Sequence, residues 1–94
     1  MNVEPVVRRT VKVKNPNGLH LRPWSLVTKL AQPYKAKIEV VKECERADVR
    51  SVISLMTLGV KHGETLIVEA RGDDAEQAVA ALAEFLDGYV EQET

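Results

Sequence analysis

One histidine lies in a segment whose other residues suit the binding of a doubly negative group. The segment is NGLHLRP, residues 17–23, and the turn residues at its start place His20 where a helix begins. The first N–H groups of a helix have no helical partner and carry partial positive charge, so they attract anions. That charge also disfavours the imidazolium form and leaves a neutral ring nitrogen that can attack phosphorus. The planar guanidinium of Arg22 would bind two oxygens of the transferred group, and Pro23 is tolerated because a first-turn N–H has no helical partner to lose.

The sequence around His20 lacks a complete catalytic apparatus. No metal-ligand cluster, glycine-rich phosphate loop or carboxylate pair accompanies it. A single nucleophile beside groups that bind an anion indicates a protein that carries a phosphoryl group between partners rather than an enzyme that acts alone. We therefore expect no metal ion and no cofactor, and we expect the donor and acceptor proteins to supply the rest of the chemistry.

The apolar periodicity along the chain predicts seven elements in the order βαββαβα. The predicted strands are residues 6–14, 36–42, 46–49 and 65–71, and the predicted helices are residues 21–32, 52–58 and a last helix with an apolar stripe over 75–89. The strands alternate instead of forming solid apolar runs, so one sheet face should be covered and the other exposed to solvent. The expected fold is α+β, an open-faced two-layer β-sandwich with a four-stranded antiparallel sheet covered on one face by three helices.

Local residues indicate how these elements end and which of them form the core. Pro33 should end the first helix, Ser51 should cap the second, and Asp73 with Asp74 should form an acidic cap and capping box for the third. The positions predicted to face the core are Val11, Val13, Ile38, Val40, Leu66, Val68 and Ala70. Because no linker or repeat interrupts the pattern, residues 1–94 are expected to form one domain.

Composition and charge exclude several classes of partner. A net charge of −1 supplies no field that would hold nucleic acid or an anionic membrane. Cys44 is the only cysteine, so neither an intramolecular disulfide nor a cysteine metal cluster can form. Residues 1–7 lack the apolar core of a signal peptide, and no run approaches membrane-spanning length. A cytoplasmic monomer without direct membrane insertion is expected.

Two segments at a particular interval resemble one known family. GLHLRP, residues 18–23, is similar to the active-site signature of HPr, the histidine-containing phosphocarrier of the phosphoenolpyruvate-dependent sugar phosphotransferase system. RSVISLMTLGV, residues 50–60, resembles the second helix of that family and its regulatory serine. The interval between the motifs and the order of elements also fit, and the resemblance runs over residues 6–86.

The resemblance implies a role for the residues of the first motif. His20 would accept a phosphoryl group from phospho-enzyme I and pass it to an enzyme IIA-type domain. Arg22 would steady that group, Gly18 would permit the turn before the helix, and Leu21 and Pro23 would complete the motif. The protein would thus be a phosphocarrier and not an enzyme.

Ser51 admits two interpretations. The resemblance implies a serine that an ATP-dependent kinase phosphorylates and a phosphorylase clears, with the phosphate weakening enzyme I docking and recruiting a transcriptional regulator. A serine before a helical apolar run is also explained by capping alone. The alternative function is accordingly a regulatory binding module controlled by phospho-Ser51, in catabolite or nitrogen-type control, without sugar transport flux. An unrelated interaction domain would leave residues 18–23 unexplained.

Apolar residues near the two motifs predict a docking surface. Trp24 follows His20 in the first helical turn, where we expect it to be partly exposed and to anchor a partner. Leu21 would lie beside it, with Val52, Ile53 and Met56 from the second helix. Leu21 and Trp24 are bulkier than the residues usual at these positions of the family. His62 is interpreted as a solvated turn residue.

Overall fold

The computed structural model describes residues 3–91, which form seven elements in the predicted order. The strands are β1 (Val6–Lys12), β2 (Lys37–Lys42), β3 (Glu45–Asp48) and β4 (Thr65–Arg71), and the helices are α1 (Leu21–Ala31), α2 (Val52–Thr57) and α3 (Ala75–Gly88). The strands form one sheet in the order β1-β4-β2-β3, and each neighbouring pair is antiparallel. The predicted α+β fold, an open antiparallel sheet with three helices, is confirmed.

The core lies between one face of the sheet and the three helices. Every strand position predicted to face inward is buried, namely Val11, Val13, Ile38, Val40, Leu66, Val68 and Ala70. They belong to one cluster with Val27 of α1, Leu55 of α2 and Leu82 of α3. Burial of each large apolar side chain stabilises the fold by about 1.5–3 kcal/mol, so these contacts fix how the helices lie on the sheet. None of the helices within residues 3–91 is long and apolar enough to cross a membrane.

The opposite face of the sheet carries a charge cluster on its central strand. Glu69 of β4 is only 2% exposed, and it points away from the core because its neighbours in the strand point inward. Arg8 lies 3.0 Å from its carboxylate, Arg46 lies 2.5 Å away and Arg71 lies 3.6 Å away. The hydrogen bond from Arg46 is the main cause that lowers the pKa of Glu69 below its usual value. A buried carboxylate is tolerated here because cations satisfy it.

The bounds of β1, β2 and β3 differ from the prediction by one or two residues. β1 ends at Lys12 because Val13 bonds the turn before β4: its carbonyl accepts from the N–H of Gly63 at 2.8 Å, and its N–H donates to the carbonyl of Glu64 at 2.9 Å. Val13 nevertheless stays buried. β3 begins one residue earlier than predicted, because Glu43 adopts a positive φ of 54° and forms a tight turn after β2.

The prediction that Asp73 and Asp74 form an acidic cap and capping box for α3 is wrong about the hydrogen-bond partners. Asp74 is the N-cap residue, but its side chain makes no hydrogen bond to the helix. Its carboxylate instead accepts from the backbone N–H groups of Lys35 and Ala36, at 2.8 Å each. These bonds, that from Lys35 foremost, lower the pKa of Asp74. The residue therefore ties the start of α3 to the chain entering β2.

Candidate functional site

The loop between β1 and α1 is held by a close backbone approach at Gly18. Gly18 has a φ of +67°, and a Cβ atom placed there would lie 2.3 Å from the carbonyl oxygen of Val60. The N–H of Leu19 donates to that same oxygen at 3.1 Å, and the N–H of Gly18 donates to the carbonyl of Asn15 at 2.9 Å. Glycine is therefore needed for both the left-handed backbone and the contact distance. This loop fixes where α1 begins.

His20 is the N-cap residue of α1, as predicted. Its backbone is extended, with φ −129°, and its carbonyl accepts from the N–H of Trp24 at 3.2 Å to close the first helical turn. The side chain is 46% exposed and makes no hydrogen bond to the amides of its own helix. A partner protein can therefore reach the imidazole ring.

Hydrogen-bond donors beside His20 are left available. The N–H groups of Leu21 and Arg22 are the first of the helix and have no helical partner. Within residues 3–91 no other backbone oxygen accepts from them. Arg22 is exposed and forms no ion pair with another residue of that range, whereas Pro23 is buried. This arrangement of donors suits the binding of an anion. Among the described residues, no group of three His, Cys, Asp or Glu side chains could hold a metal ion.

Two residues that sequence reasoning missed complete the surroundings of the ring. Glu91 Oε1 lies 2.5 Å from His20 Nε2. The fully buried Asn15 holds Glu91 in place: Asn15 Nδ2 donates to Oε1 at 3.0 Å, and the backbone N–H of Glu91 donates to Asn15 Oδ1 at 2.8 Å. The hydrogen bond with His20 is the main cause that lowers the pKa of Glu91. No local spacing in the sequence links Asn15 to Glu91.

The prediction that Trp24 is a partly exposed docking residue is wrong. Its side chain is 0% exposed and belongs to the core cluster. Trp24, Val27 and Ala31 form the buried stripe of α1, with the spacing of three and four residues that marks the inner face of a helix. The indole N–H has no hydrogen-bond partner among the described residues. Such a donor costs about 1–3 kcal/mol, so the apolar contacts of the ring must outweigh that cost.

The other predicted docking residues are distributed over two neighbouring helices. Leu21 of α1 is 57% exposed, and Ile53 and Met56 of α2 are 78% and 45% exposed. Val52 is half-buried and packs against the core. The two helices α1 and α2 are in contact. That these exposed apolar side chains form one docking surface stays a prediction.

Ser51 caps α2, as predicted. Its Oγ accepts from the N–H of Ser54 at 3.3 Å. The neighbouring Arg50 is engaged elsewhere, since its guanidinium donates to the carbonyls of Ala31, Tyr34 and Ala36. The capping role is confirmed, and phosphorylation of Ser51 stays a prediction.

Comparison with known proteins gives a consistent set of relatives. The family model described as PTS HPr component phosphorylation site matches residues 7–87. Phosphocarrier protein HPr of Buchnera aphidicola subsp. Baizongia pistaciae is 35% identical over 79 residues, which cover 84% of this chain and 93% of that protein. The crystal structure of a phosphocarrier protein HPr from Bacillus anthracis has a TM-score of 0.80 and 31% identity, and the match covers 86% of this chain and 96% of that one.

A further relative is Crh, the catabolite repression protein of Bacillus subtilis, which was solved as a swapped dimer. Its TM-score is 0.72 at 28% identity, and the match covers 92% of this chain and 99% of that one. The family model spans nearly the whole described chain, including the helix start that carries His20. This chain therefore belongs to the HPr family, the histidine-containing phosphocarriers of the phosphotransferase system, rather than to a family of stand-alone enzymes.

Proposed function

We propose that this chain accepts a phosphoryl group on His20 from phospho-enzyme I and passes it to enzyme IIA-type domains in a sugar phosphotransferase system. The observation that carries the proposal is the position of His20, an N-cap residue with an exposed ring. It lies beside the N–H groups of Leu21 and Arg22, which donate to no backbone oxygen of residues 3–91. Membership of the HPr family supports the choice of donor and acceptor.

The chemistry assigned to each residue is limited. A neutral ring nitrogen of His20 attacks phosphorus, and the bond to the donor breaks. The free N–H groups and the guanidinium of Arg22 receive the charge of the transferred oxygens. Since these groups only hold and present the phosphoryl group, the partner proteins supply the remaining catalysis. The exposed ring has to contact the donor protein and the acceptor protein in turn. We propose that the protein does so in the cytoplasm and as a monomer.

Peptide mapping after phosphorylation tests the proposal. The protein is incubated with enzyme I and phosphoenolpyruvate, digested with trypsin at neutral or alkaline pH, and examined by mass spectrometry. Because Pro23 blocks cleavage after Arg22, His20 falls in the peptide of residues 15–29 and His62 in that of residues 62–71. We expect an acid-labile phosphate on the first peptide, and the absence of any label there would contradict the proposal.

The similarity to Crh favours a second candidate, a regulatory module controlled by phospho-Ser51. A phosphate on Ser51 would add negative charge next to the exposed Ile53 and disfavour docking there. The same digest separates this candidate, because Ser51 falls in the peptide of residues 51–61. Acid-stable label on that peptide after incubation with ATP and a serine kinase, without any label on His20 from phosphoenolpyruvate, would favour the regulatory module over the carrier.

The exposed apolar residues of α2 are proposed to dock enzyme I. We expect Ile53→Glu to weaken enzyme I binding by about tenfold or more, because an apolar contact is replaced by a charge that must be desolvated. Calorimetric titration measures the dissociation constant. Val6→Glu is the matched control, since Val6 is also exposed but lies on the edge strand β1. If both variants bind enzyme I with the same dissociation constant, α2 is not part of the docking surface.

A further inference from the structure

Strand β1 forms one edge of the sheet, and alternate residues direct their backbone groups away from the protein. Within the described chain, β1 pairs with β4 alone. The carbonyl of Pro5 accepts from the N–H of Gly72 at 3.0 Å, and the N–H of Val13 donates to the carbonyl of Glu64 at 2.9 Å. In an antiparallel pair such bonds recur at every second residue. Because Pro5 and Val13 face β4, the residues of even number between them face the open edge.

The open edge of β1 therefore offers a row of free hydrogen-bonding groups. Each of four residues directs one N–H and one C=O outward, namely Val6, Arg8, Thr10 and Lys12. Neither the backbone nor a side chain elsewhere in residues 3–91 bonds these groups. To such a row an extended segment can add as a further strand, because its own backbone supplies the complementary donors and acceptors.

The opposite edge of the sheet, strand β3, is a poorer site for an added strand. The N–H of Val49 donates to the carbonyl of Ile38 at 3.1 Å, so within β3 only Arg46 and Asp48 direct backbone groups outward. The side chain of Arg46 is also engaged, since it bonds two glutamates of the sheet. An added strand therefore gains twice as many backbone groups at β1 as at β3.

The side chains of β1 carry charge of one sign. The strand contains Arg8, Arg9 and Lys12 and no acidic residue, whereas the whole chain has a net charge of −1. All three basic side chains are exposed, and neither Arg9 nor Lys12 forms an ion pair with another residue in the range 3–91. Successive side chains of a strand alternate between the two faces of the sheet. Acidic residues of an added strand would thus meet a basic residue on either face.

The charges of the sheet disfavour two other occupants of this edge. Pairing with the β1 strand of a second copy would set basic side chains against basic side chains, a repulsion by which edge strands avoid self-association. An anionic membrane would lie against the whole open face of the sheet, which also presents Glu39 and Asp48. A lipid surface, moreover, supplies no alternating row of donors and acceptors. The observations favour an acidic polypeptide.

We propose that β1 is a docking site for an extended acidic segment of a partner protein, which adds to the edge of the sheet as a fifth strand. Main-chain hydrogen bonds to Val6, Arg8, Thr10 and Lys12 hold the segment, and its acidic residues pair with the basic side chains of β1. The site includes no residue of the segment that begins α1, so a docked strand leaves His20 exposed. The inference is independent of the proposed function.

Fluorescence polarisation with a synthetic probe tests the inference. The probe is a labelled peptide of about eight residues in which glutamate and threonine alternate, long enough to form one strand. A peptide of alternating lysine and threonine is its counterpart of opposite charge. We expect the glutamate peptide to bind at least about tenfold more tightly, with an affinity that falls as salt is added. Equal binding of the two peptides, or no binding of the glutamate peptide up to about 1 mM, overturns the inference.

Charge reversal separates β1 from the rest of the surface. We expect Arg9→Glu combined with Lys12→Glu to weaken binding of the glutamate peptide by at least about tenfold, because attractive cross-strand pairs become repulsive. Arg8 is left unchanged, since its side chain bonds a buried carboxylate. Lys29→Glu combined with Lys61→Glu is the matched control, because both lysines are exposed, lie outside the sheet and change the net charge equally. Equal losses of affinity in the two double variants overturn the inference.

Hydrogen exchange distinguishes strand addition from a purely electrostatic contact. The amide protons of Arg8 and Thr10 should exchange more slowly when the glutamate peptide is bound, because they become hydrogen-bonded. Those of Arg9 and Val11 already face β4 and serve as the reference. Thr10→Pro removes one outward N–H from an edge strand without breaking the ladder, and we expect it to weaken binding about fivefold or more. Unchanged exchange at Arg8 and Thr10 in the complex overturns the inference.

Three further outcomes would assign the binding to another site or occupant, and each overturns the inference. The first is protection confined to the start of α1, where the peptide would occupy the anion-binding groups beside His20. The second is a dimer, seen by sedimentation without peptide, that slows exchange at the outward amides of β1. The third is binding to phosphatidylglycerol vesicles in preference to the glutamate peptide. Because His20→Ala should bind the peptide like the original chain, failure of the carrier proposal leaves this test intact.

Discussion

Replacement of His20 by alanine is expected to reduce phosphoryl transfer by at least about 1,000-fold, to background, because the attacking nitrogen is removed and no other group can replace it. The ring is 46% exposed and contributes nothing to the core, so the fold should persist. Labelling with ³²P from phosphoenolpyruvate and enzyme I measures the transfer. Circular dichroism and a thermal melt establish that the variant is folded.

The chain supplies its own control in its other histidine. His62 lies in an exposed turn, with Nδ1 3.2 Å from the carbonyl oxygen of Asn15. It is not at the start of a helix, and the anion-binding groups of Leu21 and Arg22 belong to α1. His62→Ala should therefore be labelled like the original protein. Label that persists in His20→Ala, or that is lost in His62→Ala, would show that the carrier histidine has been misassigned.

The features that the sequence predicts correctly all rest on local patterns. The order of the elements follows from alternation and helical spacing, because each strand has one buried face and each helix one buried stripe. The N-cap positions of His20 and Ser51 follow from the turn residues and the apolar runs around them. Each of these features depends on residues a few positions apart, which is the range over which a sequence pattern is informative.

The errors at Trp24 and Asp74 have different causes. Trp24 was placed on the surface because of its nearness to His20, although its spacing to Val27 and Ala31 already indicated the inner face of α1. The capping prediction for Asp74 failed because the backbone before β2 competes for its carboxylate. Such competition is decided by how the elements pack, and local propensity contains no information about it.

The hydrogen bonds around Asn15 are the clearest case of what a single sequence cannot give. Asn15 and Glu91 are separated by 76 positions, and each has an ordinary local explanation as a turn residue or a residue after a helix. They meet because α3 packs over β1 and its end reaches the loop before α1. The residues that adjust a site from outside its motif are therefore recognised only once the tertiary arrangement is known.

Gly18→Ala is expected to lower the free energy of unfolding by about 3 kcal/mol. A left-handed backbone costs about 1–2 kcal/mol for a residue with a side chain, and forced contact in a packed region costs about 1–3 kcal/mol more. Both apply here, because Gly18 has a φ of +67° and its Cβ would lie 2.3 Å from the carbonyl oxygen of Val60. A backbone carbonyl cannot move aside as a flexible side chain can. Urea denaturation measures the loss.

Gly59→Ala separates the two causes of this loss. Gly59 has a φ of +59°, close to that of Gly18, but no atom lies within 4 Å of the position its Cβ would take. Only the backbone cost remains, so we expect a loss of about 1 kcal/mol. The excess in Gly18→Ala measures the contact with Val60, and equal losses in the two variants would show that this contact does not hold the loop. In the folded fraction of the Gly18→Ala variant, the displaced loop shifts the start of α1, so His20 should also accept phosphate more slowly. The Gly59→Ala variant should accept phosphate at the original rate.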